Sequence, residues 1–136
     1  MNRKKILVVD DDAVILKILS MKLRGAGYEV LMAEDGGAAV GAARREKPDV
    51  ILLDITFPPD IAGGPPWDGF LILAWLRRLE EAKNTPVIMI SGDDSAVAQK
   101  RAWAAGAFDF CPKPLDCPMI IEAIERAIGP AIPKAA

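Results

Sequence analysis

Short apolar runs alternate along this chain with longer stretches of helical character. Five runs have the length of a β-strand and are mostly β-branched, aliphatic or aromatic. They are Ile6–Val9, Glu29–Ala33, Val50–Leu53, Val87–Ile90 and Phe108–Cys111. Apolar residues at helical spacing, or alanine-rich composition, mark the segments that follow them. These segments contain Ile15, Ile18, Leu19 and Leu23, then Gly36–Glu46, then Ile72, Leu73, Leu76 and Leu79, then Ser95–Ala105, and finally Ile120, Ile121, Ile124 and Ile128.

The pattern predicts five strands and five helices in strict alternation. Strands that are apolar on both faces favour a parallel sheet covered by helices on both sides, joined by right-handed crossovers. With 136 residues, 51% of them hydrophobic, the chain has the size and composition of one domain. We expect that domain to span residues 1–129. It should contain a proline-rich irregular loop at about 58–67, and residues 130–136 should form a tail.

Composition excludes several classes of chemistry. The chain has no histidine, so any mechanism that needs imidazole must take it from a partner. A formal charge of −2 gives no basic excess for nucleic acid or an anionic membrane, and no apolar run is long enough to span a bilayer. Two cysteines, Cys111 and Cys117, are too few for a disulfide framework and are predicted to be packing residues. We therefore predict a cytoplasmic domain that binds neither nucleic acid nor membrane.

Polar residues follow four of the predicted strands. Asp10, Asp11 and Asp12 come after the first strand, Asp54 after the third, Ser91 after the fourth and Lys113 after the fifth. A parallel sheet gathers these side chains at one edge, where ligands of such folds bind. Carboxylates within about 5 Å of one another repel by roughly 3 kcal/mol per pair at an effective dielectric near 20, so a bound cation is expected. The all-oxygen ligand set suits Mg²⁺, with Mn²⁺ as a substitute, better than zinc.

These motifs, taken in order, resemble the receiver domain of two-component response regulators. The matching segments are ILVVDDD at Ile6–Asp12, DVILLD at Asp49–Asp54, VIMIS at Val87–Ser91 and KP at Lys113–Pro114. The resemblance implies a flavodoxin-like (βα)5 three-layer fold with strand order 2-1-3-4-5. It also implies a phosphorylation-dependent switch, which catalyses only its own phosphotransfer and autodephosphorylation.

The resemblance further implies a role for each site residue. Asp54 would be the phosphoacceptor. Asp11 would ligate Mg²⁺ together with Asp54 and the backbone carbonyl of Thr56, and Asp10 would act mainly through metal-bound water. Ser91 and Lys113 would hold phosphoryl oxygens, and Phe110 occupies the position of the family's switch aromatic, paired with Ser91. For Phe110 the alternative of a simple packing residue stays open.

The implied partners follow from the same resemblance. A sensor histidine kinase or a histidine phosphotransfer protein would donate the phosphoryl group. The family also suggests a homodimer through the face made by the fourth helix, fifth strand and fifth helix, whereas the output partner is not predicted. The segment Pro59–Trp67 departs from the family as an insertion of about seven residues, and we expect it to shield Asp54 or contact a specific partner.

Two competing functions fit parts of the sequence. Asp10 to Val14 matches the DxDx(T/V) motif of haloacid-dehalogenase-like phosphatases, in which Asp10 would be the nucleophile and Asp12 the acid or base. The more local interpretation of Asp12 is the N-cap of the first helix. The other alternative is a pseudo-receiver that binds partners without phosphorylation, although the residues that such domains lose are present here. A dinucleotide site is excluded, because no G-x-G-x-x-G follows the first strand.

Overall fold

Five β-strands and five α-helices alternate along the described part of the chain. The computed structural model describes residues 4–54, 69–92, 96–113 and 115–130. The strands are β1 Lys5–Val9, β2 Glu29–Ala33, β3 Val50–Asp54, β4 Val87–Ser91 and β5 Asp109–Pro112. The helices are α1 Ala13–Gly25, α2 Gly36–Glu46, α3 Gly69–Arg78, α4 Ala96–Ala104 and α5 Cys117–Ile128. The alternation predicted from the hydrophobic pattern is confirmed.

All strands pair in parallel in one sheet of order β2-β1-β3-β4-β5, which confirms the expected flavodoxin-like topology. Residue pairing places the carboxyl ends of the central strands level with one another, since Val9 pairs with Leu53 and Leu53 with Met89. The residues that end or follow these strands therefore meet at one edge.

Alternate residues of each strand pack into two apolar layers, one on each face of the sheet. Leu7 and Ile51 belong to the layer that includes buried residues of α2, α3 and α4. Ile6 and Leu52 belong to the other layer, with buried residues of α1 and α5. Cys111 is buried in this second layer, where burial and the nearby Asp109 raise the pKa of its thiol to about 11. This environment fits the predicted role of Cys111 in packing.

Aspartates begin three of the helices at the carboxyl edge of the sheet. Asp12 caps α1, Asp35 caps α2 and Asp116 caps α5, each by accepting hydrogen bonds from backbone amides of the first turn. An N-cap carboxylate satisfies amides that have no partner within the helix, and it also complements the helix dipole. The prediction for Asp12 is confirmed.

Several strand limits differ from prediction by one residue. Asp54 and Ser91 are the last residues of β3 and β4, whereas the apolar pattern placed both just beyond the strands. Their backbones are thus held by the sheet. The predicted insertion at 58–67 and residues 131–136 of the predicted tail lie outside the described residues. Within the described part of the chain, no helix combines the length and apolarity needed to cross a bilayer.

Candidate functional site

Four strands deliver polar side chains to the carboxyl edge of the sheet. Asp10 directly follows β1, Asp54 ends β3, Ser91 ends β4 and Lys113 directly follows β5. Asp10, Asp54 and Ser91 are each only 2% exposed. Buried polar groups are rare unless partnered or functional, so this concentration marks a site.

The acidic side chains form a compact group. Carboxylate oxygens of Asp10, Asp11 and Asp54 all lie within 4.8 Å of one another, with Asp11 exposed at the rim. Lys113 Nζ lies 3.3 Å from Asp54 Oδ1 and 3.7 Å from Asp10 Oδ2. The structure therefore brings together Asp10, Asp11, Asp54 and Lys113 as the strand-end argument predicts.

Backbone hydrogen bonds fix the geometry of the site. The Asp12 amide donates to Asp10 Oδ1 at 2.9 Å, which turns the Asp10 side chain back toward its own loop. The Lys113 amide donates to the Ser91 carbonyl at 2.7 Å and so joins the ends of β4 and β5. The Asp10–Asp12 contact was not predicted, although Asp commonly bonds to the amide two residues later in this way.

Among the described residues, the charged groups of this cluster do not balance one another. Three ionised carboxylates and one ammonium sum to −2 (three negative, one positive). Burial raises the pKa of Asp10 to about 6, with Asp54 adding to the rise and the Asp12 amide and Lys113 opposing it. The ionised form of Asp10 is thus less favoured than that of a solvent-exposed aspartate, and further positive charge would stabilise it.

The donor set fits a divalent cation that prefers oxygen. The cluster consists of carboxylates only, one of them exposed, which leaves room for water in the coordination sphere. Mg²⁺ typically binds one or two protein carboxylates and keeps several waters. Both the charge of −2 and the ligand type therefore match Mg²⁺.

The Asp12 side chain serves as the N-cap of α1. Its Oδ1 accepts hydrogen bonds from the amides of Val14 at 2.9 Å and Ile15 at 3.4 Å. The phosphatase alternative needs Asp12 as acid or base, so its use as a cap weighs against that alternative.

Two further predicted residues have different outcomes. Phe110 lies in β5, half-buried against the apolar layer that contains Ala102 of α4, a position open to either interpretation. Thr56, with its predicted carbonyl ligand, lies outside the described residues, as does Pro59–Trp67.

Comparison with known proteins identifies the family. Residues 6–125 match the model of the response regulator receiver domain. Protein PilH of Pseudomonas aeruginosa is 33% identical over 125 residues, which cover 92% of this chain and 98% of PilH. The probable transcriptional regulatory protein TcrX of Mycobacterium tuberculosis is 33% identical over 116 residues, and there the match covers 85% of this chain but only 46% of TcrX.

Solved structures agree with this match. Chemotaxis protein CheY4 of Vibrio cholerae superimposes with a TM-score of 0.83 at 29% identity, over 93% of this chain and all of CheY4. The receiver domain of sensor histidine kinase PA1611 from Pseudomonas aeruginosa, solved with magnesium in its active site cleft, gives 0.81 at 27% identity, over 94% of this chain and 99% of that domain. The chain belongs to the receiver domains of two-component response regulators, and it is a phosphorylation-dependent signalling domain.

Proposed function

We propose that Asp54 accepts the phosphoryl group, with a phosphohistidine of a sensor kinase or histidine phosphotransfer protein as donor. The observation that carries this proposal is the placement of Asp54 at the centre of the site, 2% exposed and 3.3 Å from Lys113 Nζ. The absence of histidine from this chain means that the donor imidazole belongs to a partner.

The transfer is a displacement at phosphorus. A carboxylate oxygen of Asp54 attacks, the phosphorus–nitrogen bond to the donor imidazole breaks, and the imidazole leaves as an acyl phosphate forms. Lys113 provides positive charge for the phosphoryl oxygens, and the Ser91 hydroxyl donates a hydrogen bond to one of them. Catalysis of this kind rests on positioning and electrostatic stabilisation. Autodephosphorylation is the attack of water on the same phosphorus.

Asp10, Asp11, Asp54 and the carbonyl of Thr56 would hold the metal, with Asp10 acting mainly through water. Mg²⁺ supplies charge neutralisation for the transferred group, and Mn²⁺ can replace it. The support lies in the oxygen-only ligands within 4.8 Å of one another and in the charge of −2.

The donor protein would dock on α1, which begins beside the acidic cluster. Val14, Ile18 and Met21 follow one another at helical spacing and are 65%, 47% and 63% exposed. Exposed apolar residues on one helix face are typical of interaction surfaces. Docking at this surface would bring the donor imidazole toward Asp54.

The phosphorylation signal would be passed on through α4, β5 and α5, away from the donor surface on α1. Phe110 would change its packing as Ser91 moves toward the phosphoryl group, and a homodimer would form through α4, β5 and α5. Exposed Trp103 in α4 and Met119 in α5 support such an interface.

The free thiols of Cys111 and Cys117 fit a cytoplasmic location.

The test uses phosphoramidate, a small donor with a phosphorus–nitrogen bond, and phosphate-affinity electrophoresis. Wild-type protein incubated with phosphoramidate and Mg²⁺ should give a band of reduced mobility, and EDTA should abolish that band. Lys113→Met should slow its formation at least tenfold, because the developing charge loses its partner. Glu29→Ala, a change to an exposed carboxylate in β2, is the control and should match wild type. Equal phosphorylation of Lys113→Met, or labelling that persists in EDTA, would contradict the proposal.

A further inference from the structure

Among the five helices that the structure describes, α4 is anchored by the fewest buried residues. It buries only Ala102, whereas each of the other four helices buries three or four residues. Its apolar residues Val97 and Trp103 are 78% and 48% exposed. A nine-residue helix is not stable in water by itself, so contacts with the rest of the fold must keep α4 in place.

One of these contacts is a cation stacked on an aromatic ring. The guanidinium carbon of Arg101 in α4 lies 3.9 Å from the ring centroid of Phe70 in α3. Phe70 itself packs against the apolar layer that contains Ala102. The Arg101 side chain therefore extends the docking surface of α4 beyond its single buried alanine.

A second arginine joins the turn that follows α4 to α3. Arg77 of α3 donates to the Gly106 carbonyl at 3.2 Å, and it also donates to the carbonyls of Ala82 at 3.2 Å and Thr85 at 2.7 Å. Gly106 is held in the positive-φ region, at φ 94°. The C-terminal end of α4 is thus fixed to α3, while Arg101 acts at the body of the helix.

We propose that Arg101 and Phe70 form a latch that sets how often α4 undocks from the sheet. Opening of the latch exposes Phe110, because this β5 residue packs against the same apolar layer as Ala102 and Phe70. The latch is thus a conformational device at the α4–β5 side of the fold. Its operation in the resting chain requires neither metal nor phosphorylation.

Hydrogen–deuterium exchange of the full chain, read by mass spectrometry on peptides covering 96–104, measures this opening directly. Cation–π contacts at exposed sites are worth enough to change an opening equilibrium by about twofold to fivefold. Arg101→Gln should raise exchange in α4 by that factor. Arg101→Lys should give a smaller rise, since it keeps the charge but loses the planar stack. Phe70→Leu should raise exchange as well.

Two comparisons make the result specific. Lys100→Gln removes the neighbouring exposed cation on α4 and should leave exchange unchanged. The double variant Arg101→Gln with Phe70→Leu should exchange no faster than Phe70→Leu alone, because both changes remove the same contact. Unchanged exchange in Arg101→Gln, an equal rise in Lys100→Gln, or additive effects in the double variant would overturn the proposal. Peptides from β1 and β3 should keep wild-type exchange and so report that each variant is folded.

Discussion

Burial of the Asp10 carboxylate disfavours folding of the metal-free domain, but the same carboxylate would favour binding of a divalent cation. The fold buries this carboxylate beside Asp54, and its pKa rises to about 6. Without a cation, three effects lower the free-energy cost of burying this carboxylate: protonation of Asp10, the nearby charge of Lys113 and the hydrogen bond from the Asp12 amide. A buried carboxylate that is unfavourable in the free domain becomes favourable once a divalent cation binds. Under the proposed function, the site gives up folding stability for metal affinity.

Asp10→Asn should stabilise the metal-free domain at neutral pH. The pKa of Asp10 is higher in the folded chain than the ordinary value of 3.8, so the folded state binds more protons between about pH 4 and 6. The contribution of Asp10 to stability is therefore greatest below pH 4 and is lost as the pH rises through about 6. In EDTA at pH 7.5 the variant should be more stable than wild type by on the order of 1–3 kcal/mol, as measured by urea unfolding.

Two further measurements check the physical cause. The difference between variant and wild type should shrink as the pH falls toward and below 4, because Asp10 then becomes protonated in the unfolded chain as well as in the folded one. Added Mg²⁺ should stabilise wild type more than the variant, because the variant has lost a carboxylate. A variant that is less stable than wild type in EDTA at pH 7.5 would contradict this interpretation.

At the scale of elements, the hydrophobic pattern together with alanine-rich composition was sufficient to predict the strands and helices of the described residues. Strand limits moved by one residue because hydrogen bonding, not apolarity, decides where a ladder ends; Asp54 and Ser91 are polar yet pair within the sheet. Two arginine contacts that involve α3 could not be predicted from the sequence. They join Arg77 to Gly106 and Arg101 to Phe70 across long sequence separations, and no local pattern encodes such contacts.

Arg77→Ala should lower the free energy of unfolding by about 1–3 kcal/mol, because the carbonyls of Ala82, Thr85 and Gly106 lose a charged donor. Arg78 is the natural control. It is adjacent in sequence and exposed, and its guanidinium lies 5.7 Å from the ring centroid of Trp75. Arg78→Ala should cost less than about 1 kcal/mol. Urea unfolding of both variants provides the comparison, and equal losses would show that Arg77 has no special role.

At the scale of the whole molecule, the parallel sheet converts four separate strand ends into one site. The grouping of Asp10, Asp54, Ser91 and Lys113 could be predicted from the sequence, because topology alone brings those positions to one edge. The 3.3 Å distance from Lys113 Nζ to Asp54 Oδ1 and the hydrogen bond from the Asp12 amide to Asp10 could not be predicted, since both depend on side-chain rotamers. The departure at Pro59–Trp67 stays a prediction.

A change in the proposed docking surface on α1 should slow phosphorylation by a protein donor but not phosphorylation by a small-molecule donor. Ile18→Asp puts a charge into the exposed apolar face of α1 and should reduce phosphotransfer from a phosphorylated histidine phosphotransfer protein by roughly tenfold or more. Phosphorylation by phosphoramidate should change less than about twofold. Val97→Asp, at the most exposed apolar position of α4, is the matched control and should leave both rates near wild type. Equal loss in the two routes would show damage to the site instead of docking.

Intact-mass spectrometry can show whether Asp54 is the phosphorylated residue. The chain is incubated with phosphoramidate and Mg²⁺, and its mass is then compared with that of the untreated chain and of Asp54→Ala. We predict that wild type gains one phosphoryl group and that Asp54→Ala gains none. Absence of the adduct from wild type, or an equal adduct on Asp54→Ala, would contradict this prediction.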